Sequence, residues 1–241
     1  MEVSINQRQQ IADSGFSVFE DIYTIDEINS IGAILNKADR SEKTFRQTAD
    51  LFAIRQFLKV LPEVKPLVFN QNLRSVIDAL FGNDYFVVKS IYFDKPEKSN
   101  WFVAWHQDLT ISVDKKADVP GYSAWTVKHD QFSVQPAVEI LKDIFTIRIH
   151  LDDTDGNNGA LKVIPGSHLK GIYRAEEIVW NSEAPITCNV KSGGIMIMRP
   201  LLMHASDRTT SNKTRRVIHI EFSRDKLPLG LNWAEKETTT P

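Results

Sequence analysis

The chain has a single cysteine among its 241 residues, Cys188, so it can form no intramolecular disulfide and no thiolate metal cluster of its own. A reducing compartment fits, and the cytoplasm is the expected location. No companion base stands near Cys188 in the sequence, which reads as a small apolar filler. There is no run of 18 apolar residues, and the opening Met-Glu-Val-Ser-Ile-Asn-Gln lacks a basic segment followed by an apolar one. Neither membrane spanning nor secretion is expected. Charge of neither sign is in excess: 29 Lys and Arg face 31 Asp and Glu, a net of −2. Nothing at whole-chain level marks a nucleic-acid or anionic-membrane partner. The most basic stretch holds Arg208, Lys213, Arg215 and Arg216, and such runs are usually solvated. No internal repeat, low-complexity tract or linker interrupts the chain.

What is present is the composition of a globular protein, with 42% hydrophobic and 25% charged residues. The length suits one domain over residues 1–241. Residues 1 to about 84 read mainly helical after a short strand at 15–19. Thr24 stands three residues before Glu27 at the head of the apolar series Ile28, Ile31, Ile34 and Leu35, a capping box followed by helical periodicity. Phe52, Phe57 and Val60-Leu61, stopped by Pro62, point to a second helix. Residues 72–82 point to a third, ended by Gly82.

The period then changes. From about 85 to 225 the signal is short β-prone runs at 86–93, 101–105, 145–151, 161–164, 195–198 and 216–222, separated by turn residues. The expected fold class is mainly β with flanking α-helices, the core being a jelly roll of two sheets that encloses a mouth lined by inward side chains. The connection between Asp108 and Thr146 carries Trp125, His129, Gln131, Phe132 and Gln135 and is read as a lid loop over that mouth, with Trp125, His129 and Phe132 as substrate candidates.

His106 and Asp108 carry the chemistry. Side chains at i and i+2 on a strand point to one face, so one strand end offers an imidazole and a carboxylate together. With His204 far along the chain they would make the two-histidine, one-carboxylate set that holds ferrous iron and leaves open positions for an oxidant and a cosubstrate. Arg215 follows His204 by eleven residues. If the chain turns at 207–213 and returns antiparallel, its guanidinium can face the same cavity and grip a dicarboxylate bidentately, which a lysine could not reproduce.

Three ordered blocks carry a resemblance: Trp105-His106-Gln107-Asp108-Leu109; Asp155-Gly156-Asn157-Asn158-Gly159 running through Pro165-Gly166-Ser167-His168; and Pro200-Leu201-Leu202-Met203-His204-Ala205-Ser206 through Arg215. On these the chain resembles the phytanoyl-CoA dioxygenase family of Fe(II)- and 2-oxoglutarate-dependent oxygenases, over roughly residues 86–223. The resemblance implies a double-stranded β-helix (cupin-like) core. It implies Fe(II) held by His106, Asp108 and His204, 2-oxoglutarate whose far carboxylate meets Arg215 and Ser206, and O2 as oxidant. Gln107 falls at another family position near the cosubstrate, although a residue between two inward ligands should point outward. Lys89 and Ile91 share a face of a strand that the family uses beside the cosubstrate. The glycine-rich block reads as turn chemistry, and His168 as a structural residue.

Arg148, amid Ile147 and Ile149 on a strand, is a further substrate candidate through an anionic group. His150 and His219 read as packing or outer positions. The implied reaction is hydroxylation of a small organic molecule (a lipid, an amino-acid derivative or a secondary metabolite) with release of succinate and carbon dioxide. Asp108 favours this over halogenation, since related halogenases lack the carboxylate ligand. Trp101, Trp105, Trp125, Phe132 and Trp180 could line a partly apolar pocket. Two other readings stand: a non-catalytic metal-binding jelly-roll protein, and a cupin-type metal-dependent isomerase or hydrolase.

Overall fold

The computed structural model describes residues 3–38, 45–48, 52–128 and 131–239. Its helices are α1 (Ile5–Ser14), α2 (Ile25–Lys37), α3 (Phe57–Val60), α4 (Lys65–Val68), α5 (Gln71–Phe81) and α6 (Val138–Asp143). The strands of the N-terminal half are β1 (Phe16–Phe19), β2 (Phe45–Gln47), β3 (Phe52–Arg55), β4 (Phe86–Lys95), β5 (Val103–His106), β6 (Ile111–Val113), β7 (Ser123–Lys128) and β8 (Gln131–Gln135). Those of the C-terminal half are β9 (Phe145–His150), β10 (Leu161–Val163), β11 (Ile186–Thr187), β12 (Ile195–Met198), β13 (His204–Ser206) and β14 (Arg215–Ser223).

Two antiparallel sheets build a double-stranded β-helix. The larger runs β1-β12-β9-β14-β4-β3-β2 and the smaller β11-β10-β13-β5. Burial shows which strands are central. In β9 all six residues are buried, and β14 is buried along nearly all its length, because helices cover one face of the larger sheet and the barrel interior takes the other. On the helical side Ile28, Ile31 and Leu35 of α2 and Leu73, Val76 and Ile77 of α5 pack onto Ile147, Ile149, Ile218 and Ile220. Alternation then leaves Arg148, His219 and Glu221 on the opposite, inward face. Phe145 sits between Phe81 and Phe222, stacked at 3.7 and 4.8 Å between ring centroids, and anchors α5 to the sheet.

Thr24 caps α2 as the sequence implies: its hydroxyl accepts from the Glu27 N–H while the Glu27 carboxylate accepts from the Thr24 N–H. Residues 52–61 differ from expectation. Phe52–Arg55 pairs with β4 as strand β3, Gln56 turns in the left-handed region (φ 52°), and only Phe57–Val60 is helical. Burial of Ile54 against the core won over helical spacing. Helix α1 carries Gln and Arg on most of its turns and buries only Ile11, so no apolar period announced it. The connection after Asp108 is also not a loop: β6, β8 and β7 form a third antiparallel sheet, followed by α6. No helix among the described residues is long and apolar enough to cross a membrane.

Candidate metal centre

His106 and His204 are directly paired across β5 and β13, which puts the two imidazoles side by side with ring centroids 4.2 Å apart. Each ring is aimed by its own backbone. His106 Nδ1 donates to the Ala104 carbonyl at 2.8 Å and His204 Nδ1 to the Leu202 carbonyl at 2.9 Å. The proton is therefore fixed on Nδ1 and the Nε2 lone pair is left bare, as a metal-ligating histidine requires. Both Nε2 atoms face Asp108, at 3.7 Å from Oδ1 and 3.8 Å from Oδ2. The Asp108 N–H in turn donates to the Pro200 carbonyl, tying that corner to the turn that leads into His204. One donor atom from each of the three residues lies within 4.8 Å of the others. The fold thus brings together the three candidate ligands named from the sequence.

Electrostatics favour a cation there. Burial works to raise the Asp108 carboxyl, but His204, His219, Lys89 and His106 outweigh it and hold the group below its ordinary range. Burial pushes His204 down to about 4 against the pull of Asp108, so at neutral pH its ring is neutral and able to ligate.

The three residues open onto a cavity of about 210 Å³ between the two sheets. The smaller sheet contributes His106, Val103, Leu161, His204 and Ser206. Strands β4, β9 and β14 contribute Lys89, Ile91, Phe93, Arg148, Arg215, His219 and Glu221. Arg215 is buried at 4% exposure. It donates to the Gly159 carbonyl, and among the described residues no carboxylate pairs with it. The glycine-rich block thereby supplies the rest for the guanidinium. Gly159 itself has φ 80°, and an added Cβ would meet Lys95 Nζ at 2.6 Å and the Asp207 carbonyl at 2.7 Å, so only glycine fits. Close by, the Ser206 hydroxyl and Arg148 Nε are buried with no hydrogen-bond partner. Unsatisfied buried donors beside an unpaired buried guanidinium are the environment a carboxylate completes.

Two residues that sequence reasoning placed at packing or outer positions, or did not single out, belong to this wall. Arg148 donates to His219 Nδ1 at 3.0 Å, so the His219 proton lies on Nε2 and is donated to Glu221 Oε1 at 3.1 Å. Lys89 donates to the same Glu221 oxygen at 2.8 Å. Glu221, His219 and Asp108 also form a second close set of donor atoms. The signal was available: from Arg215 inward, every second residue of β14 (Val217, His219, Glu221) shares its face.

Other expected residues lie elsewhere. Gln107 is buried, but its amide donates to the carbonyls of Gly171 and Leu201 and accepts from the Tyr173 N–H. It braces the segment beside the site and does not line the cavity. Trp125 and Phe132 pack into the secondary core around Val88, Ile111, Val134 and Trp233. Of the tryptophans, Trp101 lines the cavity, whereas Trp105 makes an edge contact with half-exposed Trp180. His150 is bound to Thr154, and His168 Nε2 donates to the Ala12 carbonyl at 3.1 Å, with its ring against Gly15. His129 lies outside the described residues.

A double-stranded β-helix with two histidines and a carboxylate facing its interior defines a class: the non-haem iron oxygenases of jelly-roll fold. The chain belongs to the phytanoyl-CoA dioxygenase (PhyH) family, whose model matches residues 12–217 and so takes in the helices as well as the barrel. No curated protein sequence matches it. Among solved structures it is similar to EctD from S. alaskensis with 2-oxoglutarate and 5-hydroxyectoine, at 19% identity and TM-score 0.71, covering 92% of this chain and 76% of that one. It is similar to the non-haem α-ketoglutarate-dependent carbocyclase SnoK from nogalamycin biosynthesis at 14% identity and TM-score 0.70, covering 91% and 83%. HygX from Streptomyces hygroscopicus, with nickel and 2-oxoglutarate bound, is similar at 14% identity and TM-score 0.65, covering 92% and 87%. At these identities the likeness speaks to the fold alone.

Proposed function

We propose that this chain is an Fe(II)- and 2-oxoglutarate-dependent dioxygenase that hydroxylates a small organic molecule, releasing succinate and carbon dioxide. The observation that carries the reading is the convergence of His106 Nε2, His204 Nε2 and the Asp108 carboxylate in one cavity with an unpaired Arg215 guanidinium and an unpartnered Ser206 hydroxyl. Two imidazoles and one carboxylate suit ferrous iron. Arg215 and Ser206 suit the far carboxylate of 2-oxoglutarate. Bound there, iron and 2-oxoglutarate would supply the oxidising chemistry, coupling decarboxylation of the cosubstrate by O2 to oxidation of the substrate.

The protein's own share is positional. The Ala104 and Leu202 carbonyls fix the tautomers of the two histidines, and Asp108 supplies the third donor that keeps the site suited to hydroxylation. Arg148, Lys89 and the His219–Glu221 pair form a stiff polar wall, because each of them is bound to the next. Phe93 and Trp101, stacked with centroids 6.4 Å apart, close one side of the cavity with aromatic surface.

Anaerobic addition of Fe(II) and 2-oxoglutarate should give a weak visible charge-transfer band, and admission of O2 should then yield succinate. A metal-binding protein without turnover would give no succinate. An isomerase or hydrolase of cupin type would keep its activity in Arg215→Ala, whereas here that substitution should abolish the band at cosubstrate concentrations that saturate the unmodified chain.

A further inference from the structure

A second cavity of about 270 Å³ adjoins the metal cavity, with Lys89 and Ile91 in the walls of both. Lys89 stands at the boundary. Its ammonium binds Glu221 on the metal side and reaches the Thr110 carbonyl, at 3.4 Å, on the other. The roof of this chamber is the sheet β6-β8-β7, and strand alternation divides that sheet by chemistry. Ile111, Val113, Trp125, Phe132 and Val134 are turned into the secondary core. The intervening residues Ser112, Thr126, Lys128, Gln131 and Ser133 are turned to the chamber, with Ser112 paired to Ser133, Thr126 to Ser133 and Lys128 to Gln131.

The facing wall continues the pattern with Arg55, Gln56, Ser90 and Glu235, and only Ile91 and Ala234 are apolar. Gln56 is held there in a left-handed backbone, a strained state for a non-glycine residue that recurs at binding sites. Charge is unevenly satisfied. Lys89 is neutralised by Glu221, and the Glu235 carboxylate receives the Ser90 N–H at 2.9 Å together with the Ser90 hydroxyl. Arg55 and Lys128 have no ion-pair partner among the described residues. Among the described residues the chamber therefore offers two cations without an ion pair and a lining of hydroxyls and amides, next to the metal site.

Resting on the oxygenase reading above, we infer that this chamber is the substrate site and takes a small, hydroxyl-rich anion, a carboxylate or phosphate ester of a polyol. Arg55 and Lys128 hold its negative group, the hydroxyls and amides of β6, β7 and β8 hold its oxygens, and the carbon to be oxidised lies at the end bounded by Lys89 and Ile91, the residues shared with the metal cavity. A fatty acyl chain is excluded by the same lining, because it would desolvate hydroxyls and amides while gaining contact with two apolar side chains only. The aromatic residues of these strands, which sequence alone offers as a substrate wall, are spent on the core beneath.

The test is equilibrium binding to the intact chain without added iron, read by calorimetry and by thermal shift. The probes are gluconate (hydroxylated carboxylate), 6-phosphogluconate (the same with a phosphate), glucitol (hydroxylated but neutral) and octanoate (anionic but apolar). One or both hydroxylated anions should bind at least about tenfold more tightly than glucitol or octanoate, a difference that one well-placed ion pair or hydrogen-bond set supplies. Which of the two binds better separates a carboxylate site from a phosphate site. Arg55→Met and Lys128→Met should each weaken that binding about tenfold, and Lys128→Glu should remove it while glucitol binding stays as it was, an outcome that general damage to the fold would not give. Octanoate binding as tightly as gluconate, unaltered affinity in the variants, or no binding by either hydroxylated anion at millimolar concentration would each overturn the inference. The iron–2-oxoglutarate band of the unmodified chain is read separately. A band without anion binding defeats the substrate class alone, and anion binding without a band defeats the oxygenase reading alone.

Discussion

Lys89 and Glu221 occupy directly paired positions on β4 and β14, and their side chains meet at 2.8 Å in the wall between the metal cavity and its neighbour. Glu221 is 3% exposed, so its charge depends on that partner and on His219. Glu221→Met should destabilise the protein by about 3–5 kcal/mol, because it leaves a cation in the wall without compensation. The double substitution Lys89→Met with Glu221→Met should recover most of that loss, since two apolar side chains of similar volume leave no charge behind. Urea denaturation of the four chains of the cycle measures the coupling. A double variant no more stable than the single one would show that the pair is not the unit proposed.

Arg215 and Ser206 make separable contributions to cosubstrate affinity. Arg215→Ala should raise the 2-oxoglutarate dissociation constant by about 100-fold or more, the scale expected for losing a buried charge partner. Arg215→Lys should recover little of it, because an ammonium cannot reproduce the guanidinium fork or its bond to the Gly159 carbonyl. Ser206→Ala should raise the constant only about tenfold, the scale of one hydrogen bond to a charged group. Titration of the anaerobic visible band measures all three. Equal losses for the arginine and serine variants would contradict the division of roles.

Metal binding should stabilise the fold, because ligands from β5, β13 and the segment between β5 and β6 meet only in the native state. Addition of Fe(II) under anaerobic conditions, or of a redox-inert divalent ion, should raise the melting temperature, and a chelator should reverse the rise. Asp108→Ala should remove most of the shift, measured against the variant's own apo melting temperature, which the loss of a carboxylate held by Lys89 and the histidines should itself lower. A variant that keeps the full metal-dependent shift would place the ion elsewhere.

How much of this was legible in the residues follows from which periods were followed. The i, i+2 spacing of His106 and Asp108 placed two donors on one strand end. His204 and Arg215 do line one cavity, but not through the antiparallel return that their spacing suggested: β13 pairs with β10 and β5 and β14 with β4 and β9, so the eleven residues cross from one sheet to the other. The barrel strands were legible because β-branched runs between turn residues rarely become anything else. Local signals did not extend to long-range pairing. Nothing near Phe52 announces that 52–55 will pair with β4, and α1 has too little apolar surface to show a helical stripe. In β6, β7 and β8 the aromatic side chains drew attention, whereas alternation gave the chamber their hydroxyl, amide and amine neighbours. The Gln107 amide was beyond reach, since its three partners are backbone groups distant in sequence.

Glu235 gives the fold a pH dependence of definite sign. Burial raises its carboxyl to about 7 from the ordinary 4.5, against the opposing pull of the Ser90 hydroxyl and N–H and of Lys89. A folded state that holds the proton more tightly than the unfolded chain is favoured at low pH. The contribution is complete below about 4.5 and is lost as the pH rises through about 7, amounting to about 3 kcal/mol when one pKa unit is 1.36 kcal/mol. Buried His150 and His204 and half-buried His168 act in the opposite direction, since their depressed values favour the folded state as pH rises, so the net profile of one chain is not diagnostic. The difference between two chains is. Glu235→Gln keeps the shape of the protonated acid and cannot ionise, so its melting temperature should match the unmodified chain near pH 4 and exceed it above pH 8. Parallel melting curves across that range would mean that Glu235 ionises in the folded protein as readily as in the unfolded one.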